Sequence, residues 1–203
     1  EATGHIVAIG HWVIAQACAR AANWPSGVRI AVNLSPAQIH DPQLVDIVCR
    51  ALAANHIDPS RLELEITESL FLDEKPSTIE KLAALKALGV SFALDDFGTG
   101  YSSLGYLHKA AFSRIKIDRS FVARATHANG EASAIIQAIV HLAESLNMTT
   151  TAEGTETRAE FEICRDLGCA QVQGYLFGRP MTPDEATALV SPIVAGVRMM
   201  ARG

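Results

Sequence analysis

Several protein classes are excluded by what this sequence lacks. No apolar run approaches the roughly 20 residues needed to cross a bilayer. The longest candidate, Ile6 to Ile14, is interrupted by Gly10 and His11. Its opening residues hold no basic stretch followed by an apolar one, so no secretory signal is expected there. Cysteine is sparse: Cys18, Cys49, Cys164 and Cys169 form no C-x-x-C pair and lie beside no histidine at metal-ligand spacing. Reduced core thiols are expected, in the cytoplasm. The seven histidines are equally dispersed, and none is assigned to chemistry. Basic residues are not in excess either. A net charge of −5 argues against a polymeric nucleic acid as partner. A small anionic ligand stays compatible, because metal ions can supply positive charge locally.

What is present is alternation. With 49% hydrophobic and 19% charged residues, the chain has the make-up of one globular domain. An opening helix with Ile6, Ile9, Val13 and Ala17 on one stripe precedes a strand over Val28–Asn33. Asp41 and Pro42 then signal a helix with Leu44, Ile47, Val48, Ala51 and Leu52 on its apolar face. Strand Leu62–Thr67 follows, then a helix with Ser77 and Glu80 as capping box. Strand Ser91–Asp95 leads into a Gly-rich loop and a short helical segment near Ser103–Leu107. Strand Arg114–Asp118 precedes a helix with Ile135, Ile139, Leu142 and Leu146. Strand Thr149–Glu153 precedes a helix capped by Thr157 and Glu160. Strand Gln171–Tyr175 precedes one capped by Thr182 and Glu185.

Six strands alternating with helices predict an α/β fold with a parallel sheet. Strand composition chooses between an open sheet and a closed barrel. Strands buried on both faces read as unbroken apolar runs. Here Leu62, Leu64 and Ile66 alternate with Glu63 and Glu65, and Ile115 and Ile117 with Lys116 and Asp118. One face meets helices and the other meets a polar interior, which favours a TIM-like (β/α)8 barrel. Only six of its strands are readable, so two are expected to precede Glu1. The predicted domain is residues 1–191, incomplete at its N-terminus, with 192–203 as a tail.

Side chains two apart share a strand face. Phasing each strand on its apolar residues leaves Asn33, Glu65, Asp95, Lys116 with Asp118, Glu153 and Gln173 on the opposite face, with Asp96 beginning the next loop. All fall at carboxyl ends, where β/α barrels carry their active sites. Like charges about 4 Å apart repel by ~1–4 kcal/mol even with generous screening. Five carboxylates facing one lysine therefore take up protons or bind cations. Oxygen ligands without Cys or His select Mg²⁺ or Mn²⁺ over Zn²⁺. Asp95 beside Asp96 could bridge two ions, the arrangement that activates water against a phosphodiester.

Six segments then resemble one family, in its order. They are Asn33-Leu34-Ser35, Glu65-Ile66-Thr67-Glu68, Asp95-Asp96-Phe97-Gly98-Thr99-Gly100-Tyr101-Ser102-Ser103, Lys116-Ile117-Asp118, Ala152-Glu153-Gly154 and Gln173-Gly174-Tyr175. Together they resemble the EAL domain family, which hydrolyses cyclic di-GMP to linear pGpG in bacterial signalling. The resemblance implies that Asn33, Glu65 and Asp95 are ligands of one metal and that Asp95 with Asp96 bridges to a second. It implies that Asp118 and Glu153 are second-site or base residues, and that Lys116 orients the attacking water. It further implies that Gln173 contacts water or phosphate, that Glu156 lies by the substrate base, and that Glu68 braces the loop from Phe97 to Ser103. A homodimer, partner signalling domains and a cytoplasmic location, free or tethered to a membrane, are implied likewise. Membrane contact by this segment is not expected.

Two departures stand out. Thr155 occupies a position where the family carries Val. The Glu-Ala-Leu strand that names the family, with its metal-binding Glu and a nearby Arg, has no counterpart, since Glu1-Ala2 leads straight into the first helix. A non-catalytic cyclic di-GMP-binding module of the same ancestry is the second reading. A Schiff-base lyase using Lys116 is the third. It would need a lysine of lowered pKa, which neighbouring carboxylates oppose.

Overall fold

The computed structural model describes residues 5–68, 70, 76–98, 112–126 and 130–190. Its elements run α1 (His5–Ala21), β1 (Ile30–Leu34), α2 (Pro36–His40), α3 (Leu44–Ala54), β2 (Leu62–Thr67), α4 (Pro76–Ala87) and β3 (Ser91–Phe97). They continue with β4 (Arg114–Ile117), α5 (Arg119–Ala125), α6 (Glu131–Ser145), β5 (Thr149–Ala152), α7 (Arg158–Asp166), β6 (Gln171–Val172) and α8 (Pro183–Val190). Among the described residues no helix is long and apolar enough to cross a membrane.

The strands form one parallel sheet in the order β1-β2-β3-β4-β5-β6. A doubly wound sheet reverses direction at a switch point; this one never does, as in the wall of a β/α barrel. Its outward face is the core. Leu62, Leu64, Ile66, Phe92, Ile115 and Ile117 are buried there against the helices. Its inward face carries Glu63, Glu65, Arg114, Lys116 and Thr151, all buried as well.

Several boundaries differ from the sequence expectation, each for a local reason. The first strand spans Ile30–Leu34 rather than Val28–Asn33, because Val28 N–H turns back to the Pro25 carbonyl. β4 stops at Ile117 because Asp118 leaves it to cap α5, its carboxylate accepting from Ser120 N–H at 2.9 Å. β5 stops at Ala152, although Glu153 N–H still bonds the Ile117 carbonyl. β6 ends at Val172, not Tyr175, because the chain turns to meet the Thr155 loop. There Thr155 N–H bonds the Gln173 carbonyl and Leu176 N–H bonds that of Thr155. A Cβ on Gly174 would lie 2.1 Å from the Thr155 carbonyl oxygen, so only glycine allows the approach.

Helix signals fared unevenly. Thr157 with Glu160 and Thr182 with Glu185 make the expected reciprocal caps. Ser77 does not cap, since α4 already starts at Pro76. Asp41 does not cap α3, which starts at Leu44. Its carboxylate instead bonds Gln43 N–H and the His11 ring at 2.5 Å, tying α1 to the α2–α3 turn. On α1 the buried face is Gly10, Ile14, Ala17, Cys18 and Ala21, and Ile9 is 52% exposed. The stripe is displaced because the Gln38 side chain lies over Gly10 and donates to the Ile6 carbonyl. The segment expected near Ser103–Leu107 lies outside the described residues. All four cysteines are free thiols.

Candidate active site

The inward face is stacked in layers, and the upper one, at the carboxyl ends of the strands, gathers most of the residues singled out in the sequence. Lys116 projects from β4 into its centre. Its ammonium lies 2.7 Å from Glu65 of β2, 2.9 Å from Asp95 of β3 and 2.7 Å from Glu153 after β5. All four side chains are largely withdrawn from water, Lys116 most of all at 4% exposed. Burial works against the charge on Lys116, but its bonds to Glu153, Glu65 and Asp95 outweigh it. They hold the ammonium well above the usual lysine range. A Schiff-base role, which needs a neutral amine at working pH, is therefore disfavoured.

A bulge supplies a further carboxylate. The β3–β4 register runs Leu94 to Ile115 and then Phe97 to Ile117, so Asp95 and Asp96 together face Lys116. Asp96 takes up the extra length with φ +54°, a left-handed conformation that costs a non-glycine residue strain. Bulges of this kind re-aim side chains. Here one sends two consecutive carboxylates toward the same site, which strict alternation would forbid. Carboxylate oxygens of Asp95, Asp96 and Glu153 lie within 4.8 Å of one another.

The crowding shows in the acids. Burial, then the charges of Asp95 and Asp118, push the Asp96 carboxyl up. Burial, then the charges of Asp95 and Glu65, push Glu153 up despite its bond to Lys116. Burial, then Asp95 and Glu63, do the same to Glu65. Three hard oxygen donors held this close, with one shared lysine, fit a divalent cation, which would relieve their repulsion.

The remaining candidates take distinct places. Asn33 pairs in register with Glu65 and is exposed on the inner face. Asp118 caps α5 and acts on Asp96 through its charge, without joining the three-oxygen group. Glu156 and Gln173 line a cleft of about 260 Å³ with Asp96, Asp118 and Glu153. Glu68 accepts from Gly98 N–H at 2.9 Å, at the root of the loop that continues beyond the described residues. Arg119, which sequence reasoning passed over, lines the same cleft. It directly follows the Lys-x-Asp run at a helix start, a position that could have drawn attention to it.

Residues 1–180 match the EAL domain family. The chain belongs to the EAL domain family. An uncharacterized signaling protein of Caulobacter vibrioides is 47% identical to this EAL chain over 187 residues, covering 92% of the chain and 23% of the relative. The bifunctional diguanylate cyclase/cyclic di-GMP phosphodiesterase MucR of Pseudomonas aeruginosa is 44% identical over 195 residues, 94% of the chain and 28% of MucR. The solved MucR phosphodiesterase in complex with c-di-GMP superposes with a TM-score of 0.86 at 44% identity, covering 91% of this chain and 81% of that one. Klebsiella pneumoniae BlrP1, solved with manganese and c-di-GMP, gives 0.79 at 33% identity, over 87% of this chain and 45% of BlrP1. The EAL chain thus spans only about a quarter of the curated relatives it matches.

Proposed function

We propose that this EAL domain hydrolyses cyclic di-GMP to linear pGpG with a divalent metal, Mg²⁺ or Mn²⁺, bound at the strand ends. The observation that carries the reading is the convergence of Asp95, Asp96 and Glu153 on one point beside Lys116. Asp95, Asp96 and Glu153 would hold one ion. Asn33 and Glu65, adjacent on β1 and β2, would serve one side of a two-ion site bridged by Asp95. When bound, such ions offset charge on the phosphoryl oxygens and make water a better nucleophile.

The chain's own groups complete the reaction. Lys116 holds Glu65, Asp95 and Glu153 in fixed positions with its three N–H donors, and a metal ion drawing one of these carboxylates away would release an N–H for the attacking water. Glu153, with its raised proton affinity, and Asp118 beside the cleft are the groups suited to receive a proton from it. Water attacks phosphorus and the ribose 3′ oxygen departs, leaving a 5′-phosphate on the linear product. Gln173 positions water or phosphate, and Glu156 on the cleft wall meets a base. Glu68, through Gly98, ties the loop after β3 to the site, and that loop supports a homodimer with further signalling domains alongside.

Incubating the protein with cyclic di-GMP and Mn²⁺ or Mg²⁺, then resolving nucleotides by chromatography, tests the reading. Accumulation of pGpG that chelation abolishes is expected. Tight binding of cyclic di-GMP without cleavage would replace catalysis by a sensing role.

A further inference from the structure

The cleft beside the carboxylates contains a charged group that the mechanism does not use. Among the described residues lining it, Arg119 is the one cation, facing Asp96, Asp118, Glu153 and Glu156. It is exposed, at the first position of α5, and with the described residues it makes neither an ion pair nor a hydrogen bond. Its charge acts on Asp96 across the cleft, but no carboxylate among the described residues bonds its guanidinium, which leaves the N–H donors available for a ligand. Its presence there is also built in. Gly154 adopts φ +68°, and a Cβ on it would lie 2.4 Å from Arg119 Cβ and 3.6 Å from Arg119 Cδ. The side-chain stem of Arg119 thus crosses the backbone at Gly154, next to Glu153, and only a residue without a side chain lets it pass.

We propose that Arg119 is a substrate-anchoring residue, its guanidinium binding phosphodiester oxygens of the cyclic dinucleotide in this cleft. This rests on the substrate reading above. Arginine suits the task because its planar fork donates two parallel N–H bonds to one phosphate and stays charged. The anchor also explains how a dianionic ligand enters a cleft walled by four carboxylates. Metal ions offset charge at the floor, and Arg119 does so at the wall. Gly154 is then part of the anchor, since any side chain there displaces the arginine.

Steady-state hydrolysis of cyclic di-GMP by the wild type, Arg119→Ala and Arg119→Lys, with Mn²⁺ titrated separately by calorimetry, tests the proposal. Charge-assisted bonds of this kind predict a fall in kcat/KM of about ten- to a hundredfold in Arg119→Ala, carried mainly by KM. Arg119→Lys should recover part of it, and Mn²⁺ affinity should not weaken in either variant. An unchanged KM overturns the proposal. So does a loss confined to kcat, which would make Arg119 a transition-state group, or a loss of Mn²⁺ affinity, which would make it structural. Should the wild type bind cyclic di-GMP without cleaving it, catalysis fails but the anchor is still read, as the same fold loss in Kd. Should the wild type not bind it, both fall.

Discussion

Two buried charge layers lie on the same inner face, one pleat apart, and they differ in how their charges balance. In the lower layer Arg114 bonds Glu63 at 3.1 Å and Thr151 at 2.9 Å, and also reaches Gln171. Arg29 approaches Glu63 from outside at 3.8 Å. Every charge there has an opposite partner, so the layer is finished. In the upper layer Glu65, Asp95, Asp96 and Glu153 crowd around the single ammonium of Lys116. That layer is complete only when something positive or protonated joins it. The same barrel interior therefore holds a balanced pair below and an unbalanced acidic cluster above, distinguished by charge surplus rather than by residue type.

The sharpest way to break the comparison is to strip each layer of its cation. Arg114→Met leaves Glu63 buried with only the distant Arg29, and should cost about 3–5 kcal/mol of unfolding free energy. Adding Glu63→Leu should recover most of it, as expected of a closed pair; urea unfolding reads both. Lys116→Ala should instead lower kcat by about 10²–10³-fold with a much smaller change in KM, as the proposed role of orienting the attacking water requires. An equal loss through KM alone would reduce Lys116 to a phosphate anchor and erase the distinction between layers.

A subtler difference concerns protons. Glu65, Asp96 and Glu153 hold protons in the folded, metal-free chain that the unfolded chain has already released. Between the ordinary carboxylate range and those raised values, stability falls as pH rises. The metal-free protein should therefore melt higher when acidified from neutral toward the ordinary carboxylate range, as thermal melts across that range would show. With saturating Mn²⁺ the slope should reverse, since the ion competes with those protons. The smallest effect concerns Thr155, wholly buried next to the site with no partner for its hydroxyl among the described residues. Thr155→Val keeps the shape, removes the unsatisfied group and should stabilise by about 1 kcal/mol in thermal melts.

The layers also explain what could be read from the sequence. Strict alternation in Leu62–Thr67 and Arg114–Asp118 exposed the inner face, because apolar and polar residues there never share a side. The same alternation hid the bulge. Nothing in the residue types of Asp95 and Asp96 announces that both face inward, and only the register of β3 against β4 shows it. The lower layer was legible in principle, since Glu63 and Arg114 share faces with Glu65 and Lys116, but attention to strand ends passed it by. Helix α2 is only five residues long, too short for periodicity, although Ser35 and Gln38 form a capping box that marks it. Arg119 could not be placed from sequence because its orientation depends on Gly154, 35 positions later, passing beneath it.

The upper layer is either a cation site or a buried network that happens to be acidic. Calorimetric titration of Mn²⁺ into the metal-free protein and into Asp95→Ala addresses this directly. Removing Asp95 leaves Lys116 two carboxylate partners, so the fold should hold, with metal-free melting unchanged or raised. Mn²⁺ binding should be clear in the parent and lost, together with turnover, in the variant. Unchanged Mn²⁺ affinity in Asp95→Ala would contradict the assignment.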